Sequence, residues 1–161
     1  MSSFLAIPDP KDSIVKITAT CYKRPDVSWD YFIQYWRNTH VFKFTRNPKV
    51  EKLLIGYVQC HRDEESSKKM GPVPLLDYDG LAEFYVRRIE DWLEIASEPQ
   101  HLAESMVDME HFCDSPRMKL FITNYEPRFW KIPAPPSPPK QIEWNHPDPE
   151  QLKKDLDPKY N

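Results

Sequence analysis

Two histidines are the residues best placed by type and spacing to do chemistry. His40 closes Trp36-Arg37-Asn38-Thr39-His40, the end of an aromatic-rich amphipathic run, and His61 closes Gly56-Tyr57-Val58-Gln59-Cys60-His61, the end of an alternating one. An imidazole with an ordinary pKa near ~6.5 gives or takes a proton at neutral pH. Neither histidine stands in a metal-ligand spacing, and Glu110-His111 has no further ligand beside it. With three glycines in the chain there is no glycine-rich phosphate loop, and no nucleophile elbow or HExxH motif occurs. The pair points to acid–base chemistry on an organic substrate, without a cofactor. The candidate catalytic residues are His61 and His40, with Tyr57 as a hydrogen-bond donor. Tyr57 and His61 share a strand face but lie four residues apart, roughly 13 Å at ~3.3 Å per residue. They can flank a large substrate but cannot form a touching dyad.

Each candidate has a plainer reading. A histidine at a helix C-terminus is favoured by the helix dipole, His61 can be an exposed strand end, and tyrosine is a good strand former. His101 and His146 read as surface positions, and His111 as structural or exposed.

The elements that must position these residues follow from periodicity. The order reads β-α-β-β-α-β, an α+β arrangement of the ferredoxin-like kind. Strands are expected at 14–22, 54–61, 79–86 and 118–125. Helices are expected at 28–40 and 89–112, the second broken at Ser97-Glu98-Pro99 with Ser97 as its N-cap. On helix one, Trp29, Ile33, Trp36 and His40 form one stripe, with Tyr31 and Tyr35 on another. A polar loop from Arg62 to Pro74 follows His61, where it can serve as a lid.

Alternation gives each strand an apolar face: Val15, Ile17, Ala19 and Cys21; Leu54, Gly56, Val58 and Cys60; Gly80, Ala82, Phe84 and Val86; Met118, Leu120 and Ile122. These faces want the helices. The opposite faces mix aromatic and polar groups, as a pocket wall does. They make Tyr22, Trp36 (from the helix), Gln59, Asp79, Glu83, Tyr85 and Phe121 the candidate substrate-binding residues. Asp79 and Glu83 are equally suited to pair with Lys16 or Lys119. An aromatic sheet face also invites a second sheet, hence a dimer.

The 161 residues are 40% hydrophobic and 13% aromatic, with a formal net charge of −3. The length fits one domain. The charge argues against a nucleic-acid or anionic-membrane surface. No run approaches the ~20 apolar residues of a spanning helix, and the first residues do not read as a signal peptide. Three cysteines (Cys21, Cys60, Cys113) fit a reducing, cytoplasmic setting, with Cys21 and Cys60 as small core residues. The organisation reads as an arm (1–12), a domain (13–126) and a tail (127–161) rich in proline, with Pro133, Pro135, Pro136, Pro138 and Pro139. That tail cannot form ordinary helix or central strand. Its Phe129, Trp130, Ile132, Ile142 and Trp144 suggest that part of it packs on the domain or a partner, with a short helix near 149–156.

Taken together, Tyr35-Trp36-Arg37-Asn38-Thr39-His40, Tyr57-Val58-Gln59-Cys60-His61, Tyr78-Asp79-Gly80-Leu81-Ala82-Glu83-Phe84 and Phe112-Cys113-Asp114-Ser115, in this element order, resemble an EthD-domain protein of the dimeric α+β barrel superfamily. The resemblance covers roughly residues 13–126, is specific as a package of motifs, and within the family looks most like the fungal polyketide-tailoring branch, the TpcK-like decarboxylases and dehydratases. Many bacterial members follow the helix-end histidine with Gly-Pro, whereas here Val41-Phe42 follows His40. The resemblance implies a homodimer with a barrel-like cavity. It also implies a cofactor-independent lyase that removes CO₂ or water from an aromatic polyketide. Dehydration needs a base for the α-proton and an acid for the departing hydroxyl. Decarboxylation needs a donor to the ketone as the enolate forms. Two other readings stand beside it: a cofactorless oxygenase acting on anthrones or quinols, and a non-catalytic polyketide-binding accessory protein.

Overall fold

The computed structural model describes residues 13–127. The expectations for the arm, for the tail beyond 127 and for His146 lie outside the described residues. Four antiparallel strands, β1 (Ile14–Cys21), β2 (Leu54–His61), β3 (Gly80–Val86) and β4 (Leu120–Tyr125), form one sheet in the order β2-β3-β1-β4. Helices cover one face of it, the ferredoxin-like α+β fold expected from the element order. Among the described residues no helix is long and apolar enough to cross a membrane.

The first helical passage runs further than its stripe suggested. α1 (Trp29–Gln34) starts on Ser28, whose side chain accepts from the Tyr31 amide. It passes into a π-helical turn (Tyr35–His40) and on into α2 (Val41–Thr45). Tyr31, Phe32, Tyr35 and Trp36 are all fully buried, so the stripe of Tyr31 and Tyr35 belongs to the core as well. α3 (Pro48–Leu53), capped by Asn47, was not anticipated. Nor was α4 (Glu64–Lys69), capped by Asp63 within the polar loop. α5 (Ile89–Ala96) and α6 (Pro99–Met109) match the broken second helix. The cap of α6 is Glu98, whose carboxylate accepts from the Gln100 and His101 amides. Ser97 instead closes α5.

The sheet corrects one face. β1, β3 and β4 turn their apolar sides to the helices, as read from alternation. On β2 the register shifts between Leu54, opposite Val86, and Gly56, opposite Tyr85. That extra residue is a bulge, and a slip of one residue exchanges the two faces of a strand. Beyond it Tyr57, Gln59 and His61 pair with Phe84, Ala82 and Gly80 on the helix side. Val58 and Cys60 point to the outer face and are exposed, so Cys60 is not a core residue. Gly80 is where helix meets sheet most tightly. A Cβ there would come within 2.6 Å of the Trp36 ring and 2.7 Å of the Cys60 carbonyl.

Candidate active site

The predicted pocket does not assemble as one wall, because the bulge sends its members to opposite sides of the sheet. Glu83 and Tyr85 lie on the outer face. Lys16 pairs with Glu83 at 2.8 Å, the Tyr85 hydroxyl donates to Glu83 at 2.9 Å, and Tyr125 sits edge-on to Tyr85. Phe121, on the same face, is 67% exposed. Tyr22 and Asp79 hold chain segments together. The Tyr22 hydroxyl donates to Asp77 and its ring lies under the Arg117 guanidinium. Asp79 accepts from the Lys23 amide at 2.8 Å.

His61, Gln59, Tyr57 and Trp36 do meet, on the helix side. An Arg37 N–H can only donate, so His61 Nδ1, 3.2 Å away, accepts and Nε2 carries the proton. That proton goes to the Gln59 amide oxygen at 3.0 Å. The Gln59 amide in turn donates to the Trp36 carbonyl and to the Tyr57 hydroxyl, both at 3.0 Å. Burial and the Arg37 charge both push the His61 pKa down. Both ring nitrogens are thus occupied and the ring is neutral. Tyr57 is stacked on Phe84 with ring centres 5.0 Å apart, and burial raises its pKa to about 12. Among the described residues His61 borders a different cavity, with Arg62, Tyr78 and Leu81, from the one His40 lines.

His40 stands in a different setting. It is buried, and its Nδ1 lies 2.6 Å from Oδ2 of Asp108 on α6. The other carboxylate oxygen accepts from the Tyr35 hydroxyl at 2.8 Å and from Lys43 Nζ at 2.7 Å. The π turn makes this possible. Residues five apart in an α-helix point roughly 140° from each other at ~3.6 residues per turn. The wider turn brings Tyr35 and His40 onto one face, and both grip Asp108. The cost of widening is a displaced backbone carbonyl, and such turns recur at functional sites. Here Asn38 donates to the Gln34 carbonyl, and Gln59 to that of Trp36, each at 3.0 Å.

Burial works against the Asp108 carboxylate, but the donors from His40, Lys43 and Tyr35 outweigh it and hold its pKa at about 2. The carboxylate accepts only, so the proton of a neutral His40 sits on Nδ1. Nε2, which makes no hydrogen bond among the described residues, keeps its lone pair. This is the arrangement of an oriented general base.

A cavity of about 260 Å³ lies between the helices and the sheet, with His40 in its wall. Trp36, Phe44, Phe84, Trp92 and Phe112 make it strongly apolar. His40, His101 and Ser105 bring polar groups into it. The same three residues, with Lys43, Arg46 and Glu104, also border an outer vestibule of about 460 Å³. His40 thus stands at the junction of an aromatic-walled chamber and an outer vestibule with charged residues at its border. His101 is buried rather than on the surface. Both it and His40 pack against the Phe44 ring, with centres 5.5 and 6.1 Å away. Burial lowers the His101 pKa, despite Glu98 and Glu104 nearby. His111 packs on Tyr35, outside the cavity wall.

Asp108 and His101 are the members that the sequence reading missed. The available signal was helical: Pro99–Met109 is one helix, and residues seven apart share its face. Among the described residues, no group of three or more His, Cys, Asp or Glu side chains is placed to hold a metal ion.

The model of the EthD domain matches residues 24–116, from the loop before α1 through the whole His40–Asp108 site. The chain belongs to the EthD domain family. Two curated relatives agree with this. The chain is 26% identical over 125 residues to the "Conidial pigment biosynthesis dehydratase EthD" of Metarhizium robertsii, covering 74% of this chain and 87% of that one. It is 25% identical over 121 residues to "Dehydratase aurZ" of Gibberella zeae, covering 71% and 79%. Among solved structures, the fold is shared with an EthD family protein of Bacillus halodurans, at TM-score 0.51 and 18% identity over 70% of this chain and 99% of that one. It is shared also with the hydroxynitrile lyase of Passiflora edulis, at TM-score 0.51 and 10% identity over 73% and 98%. This EthD-domain chain therefore has relatives named as dehydratases in fungi, one of them in pigment biosynthesis.

Proposed function

We propose that this chain is a dehydratase of aromatic polyketide biosynthesis, with His40 as its general base. The observation that carries the reading is the 2.6 Å contact between His40 Nδ1 and the buried carboxylate of Asp108, beside an aromatic-walled cavity. Two fungal relatives named as dehydratases, one of them in conidial pigment biosynthesis, support the reaction class, and the aromatic-walled cavity suits a planar substrate.

The step is an elimination. His40 Nε2 takes the proton α to a ketone of the bound polyketide, and the C–H electron pair becomes an enolate. Asp108, ionised and fixed, stabilises the imidazolium that results. His101 and Ser105, on the same wall, offer hydrogen bonds to the enolate oxygen. The enolate then expels the β-hydroxyl as a C=C bond forms. The imidazolium returns its proton to that leaving oxygen, and water departs. The ring gains a double bond towards aromaticity. Every proton transfer is made by imidazole, so the sequence of steps calls for no cofactor. Trp36, Phe44 and Phe112 would hold the planar rings.

The chain also acts as a homodimer in this reading. The outer face of the sheet, with Phe121, Tyr85 and Val58, is the surface a second copy would cover.

Anaerobic incubation of the purified chain with a β-hydroxyketone polyketide carrying a carboxyl group, followed by mass spectrometry, tests the reaction class. Loss of water supports the reading. Loss of CO₂ alone would make the chain a decarboxylase. Conversion only in air would make it an oxygenase, and binding without turnover an accessory protein.

A further inference from the structure

Two buried thiols face each other at the edge of the same cavity. Cys21 ends β1, and Cys113 lies just beyond α6, 92 residues along the chain. They are 6% and 4% exposed, and their Sγ atoms are 3.5 Å apart, not bonded. The backbone fixes both. The Asp114 amide donates to the Tyr22 carbonyl at 2.8 Å, the Arg24 amide to the Phe112 carbonyl at 3.0 Å, and the Cys113 amide to the Met109 carbonyl at 2.8 Å. A disulfide has S–S near ~2.05 Å, so closing this gap takes about 1.5 Å of movement, within reach of small side-chain rotations. Both residues also line the 260 Å³ cavity, which gives a small oxidant a way in.

We infer that Cys21 and Cys113 form a reversible intrachain disulfide when a hydroperoxide enters the cavity. The Cys113 thiolate attacks the terminal peroxide oxygen. The O–O bond breaks, leaving a sulfenic acid on Cys113 and an alcohol, or water from hydrogen peroxide. Cys21, having given up its proton, then attacks the sulfenic sulfur. The S–O bond breaks, the S–S bond forms and water leaves. Two thiols are oxidised and one hydroperoxide is reduced. The polarity of the contact fits this order: the Cys21 thiol donates towards Cys113, which favours the Cys113 thiolate and holds the proton on Cys21. The link would join β1 to the segment carrying Phe112, whose ring packs 5.2 Å from that of His40. This chemistry is independent of the reaction proposed for His40.

The test uses the full-length chain with Cys60→Ser, which removes the one exposed thiol and leaves the pair as its only cysteines. Folded protein is treated with hydrogen peroxide, denatured, alkylated with N-ethylmaleimide and mapped without reduction. The expected result is loss of both alkylatable thiols together. A Cys21–Cys113 cross-linked peptide, lighter by two hydrogens, should appear and be reversed by dithiothreitol. It should form faster in folded than in urea-unfolded protein. Retention of both thiols, separate oxidation of each to sulfinic acid, or links only between chains would each overturn the inference.

Discussion

Asp108 Oδ2 lies 2.6 Å from His40 Nδ1, and the two residues come from helices 68 positions apart in the chain. Neither could have been placed by the other's local sequence. The contact depends on a π turn that rotates His40 onto the face of Tyr35, and on Asp108 being the buried acid of α6. Everything proposed for the reaction rests on this pair.

Tyr35→Phe removes one donor to Asp108 while keeping the ring that stacks on Phe112. A hydrogen bond to a charged group contributes roughly 1.5–3 kcal/mol. Urea unfolding should show a stability loss of that order, with His40 still in place and activity largely retained. Loss of activity out of proportion to stability would mean that Tyr35 has a direct chemical role.

Gly80→Ala puts a methyl group against the Trp36 ring and the Cys60 backbone. The ring can give a little, but the backbone of β2 cannot. Overpacking of this kind costs about 1–3 kcal/mol, and thermal unfolding should show a clear drop in Tm. An unchanged Tm would mean that helix and sheet are less closely packed than described.

Acid should destabilise the fold in two stages. His61 and His101 have folded pKa values below the unfolded value of ~6.5, so the unfolded chain binds more protons as the pH falls. Their contribution is full above about pH 6.5 and is lost as the pH falls through the folded values. Asp108, with a folded pKa of about 2, contributes fully above its unfolded value of ~3.9, and that part is lost as the pH falls towards 2. Urea midpoints between pH 7.5 and 5 should decline, and His61→Gln with His101→Gln should flatten that slope. An equal slope in the double variant would assign the decline to other groups.

Phe121→Glu tests the dimer. Phe121 is 67% exposed on the outer sheet face, where a charge costs an isolated chain little. Sedimentation should show the wild-type chain as a dimer and the variant shifted to monomer. A dimer in both would move the interface elsewhere.

Much of the fold was legible from periodicity. The sequence of elements along the chain, the two helical passages and the break at Pro99 follow from patterns of two and 3.6, which are local. What was not legible has two causes. The bulge at the start of β2 is a single extra residue, and its one sequence mark is Gly56, a strand-interior glycine of the kind that accompanies bulges; it reverses the side taken by Tyr57, Gln59 and His61. The alternation there is equally consistent with either register. The π turn extends helix one past His40, so the residue read as a helix end is mid-helix and buried. His40 was found because imidazole is rare and chemically telling. Asp108 was not, because an acid on an amphipathic helix ordinarily faces water; its seven-residue spacing from His101 puts the two on one face, but only the tertiary contact shows that this face is buried. His61 drew attention for its type, but its two nitrogens are taken by Arg37 and Gln59.

The most direct measurement compares single-turnover dehydration by wild-type, His40→Ala, Asp108→Asn and His61→Gln proteins on one β-hydroxyketone polyketide. The account predicts a loss of roughly 10²–10⁴-fold for His40→Ala and up to about 10⁴-fold for Asp108→Asn, whose amide no longer fixes the tautomer. His61→Gln should keep nearly full activity. Full activity in His40→Ala, with loss in His61→Gln, would contradict it and move the chemistry to the Arg37–His61–Gln59 cluster.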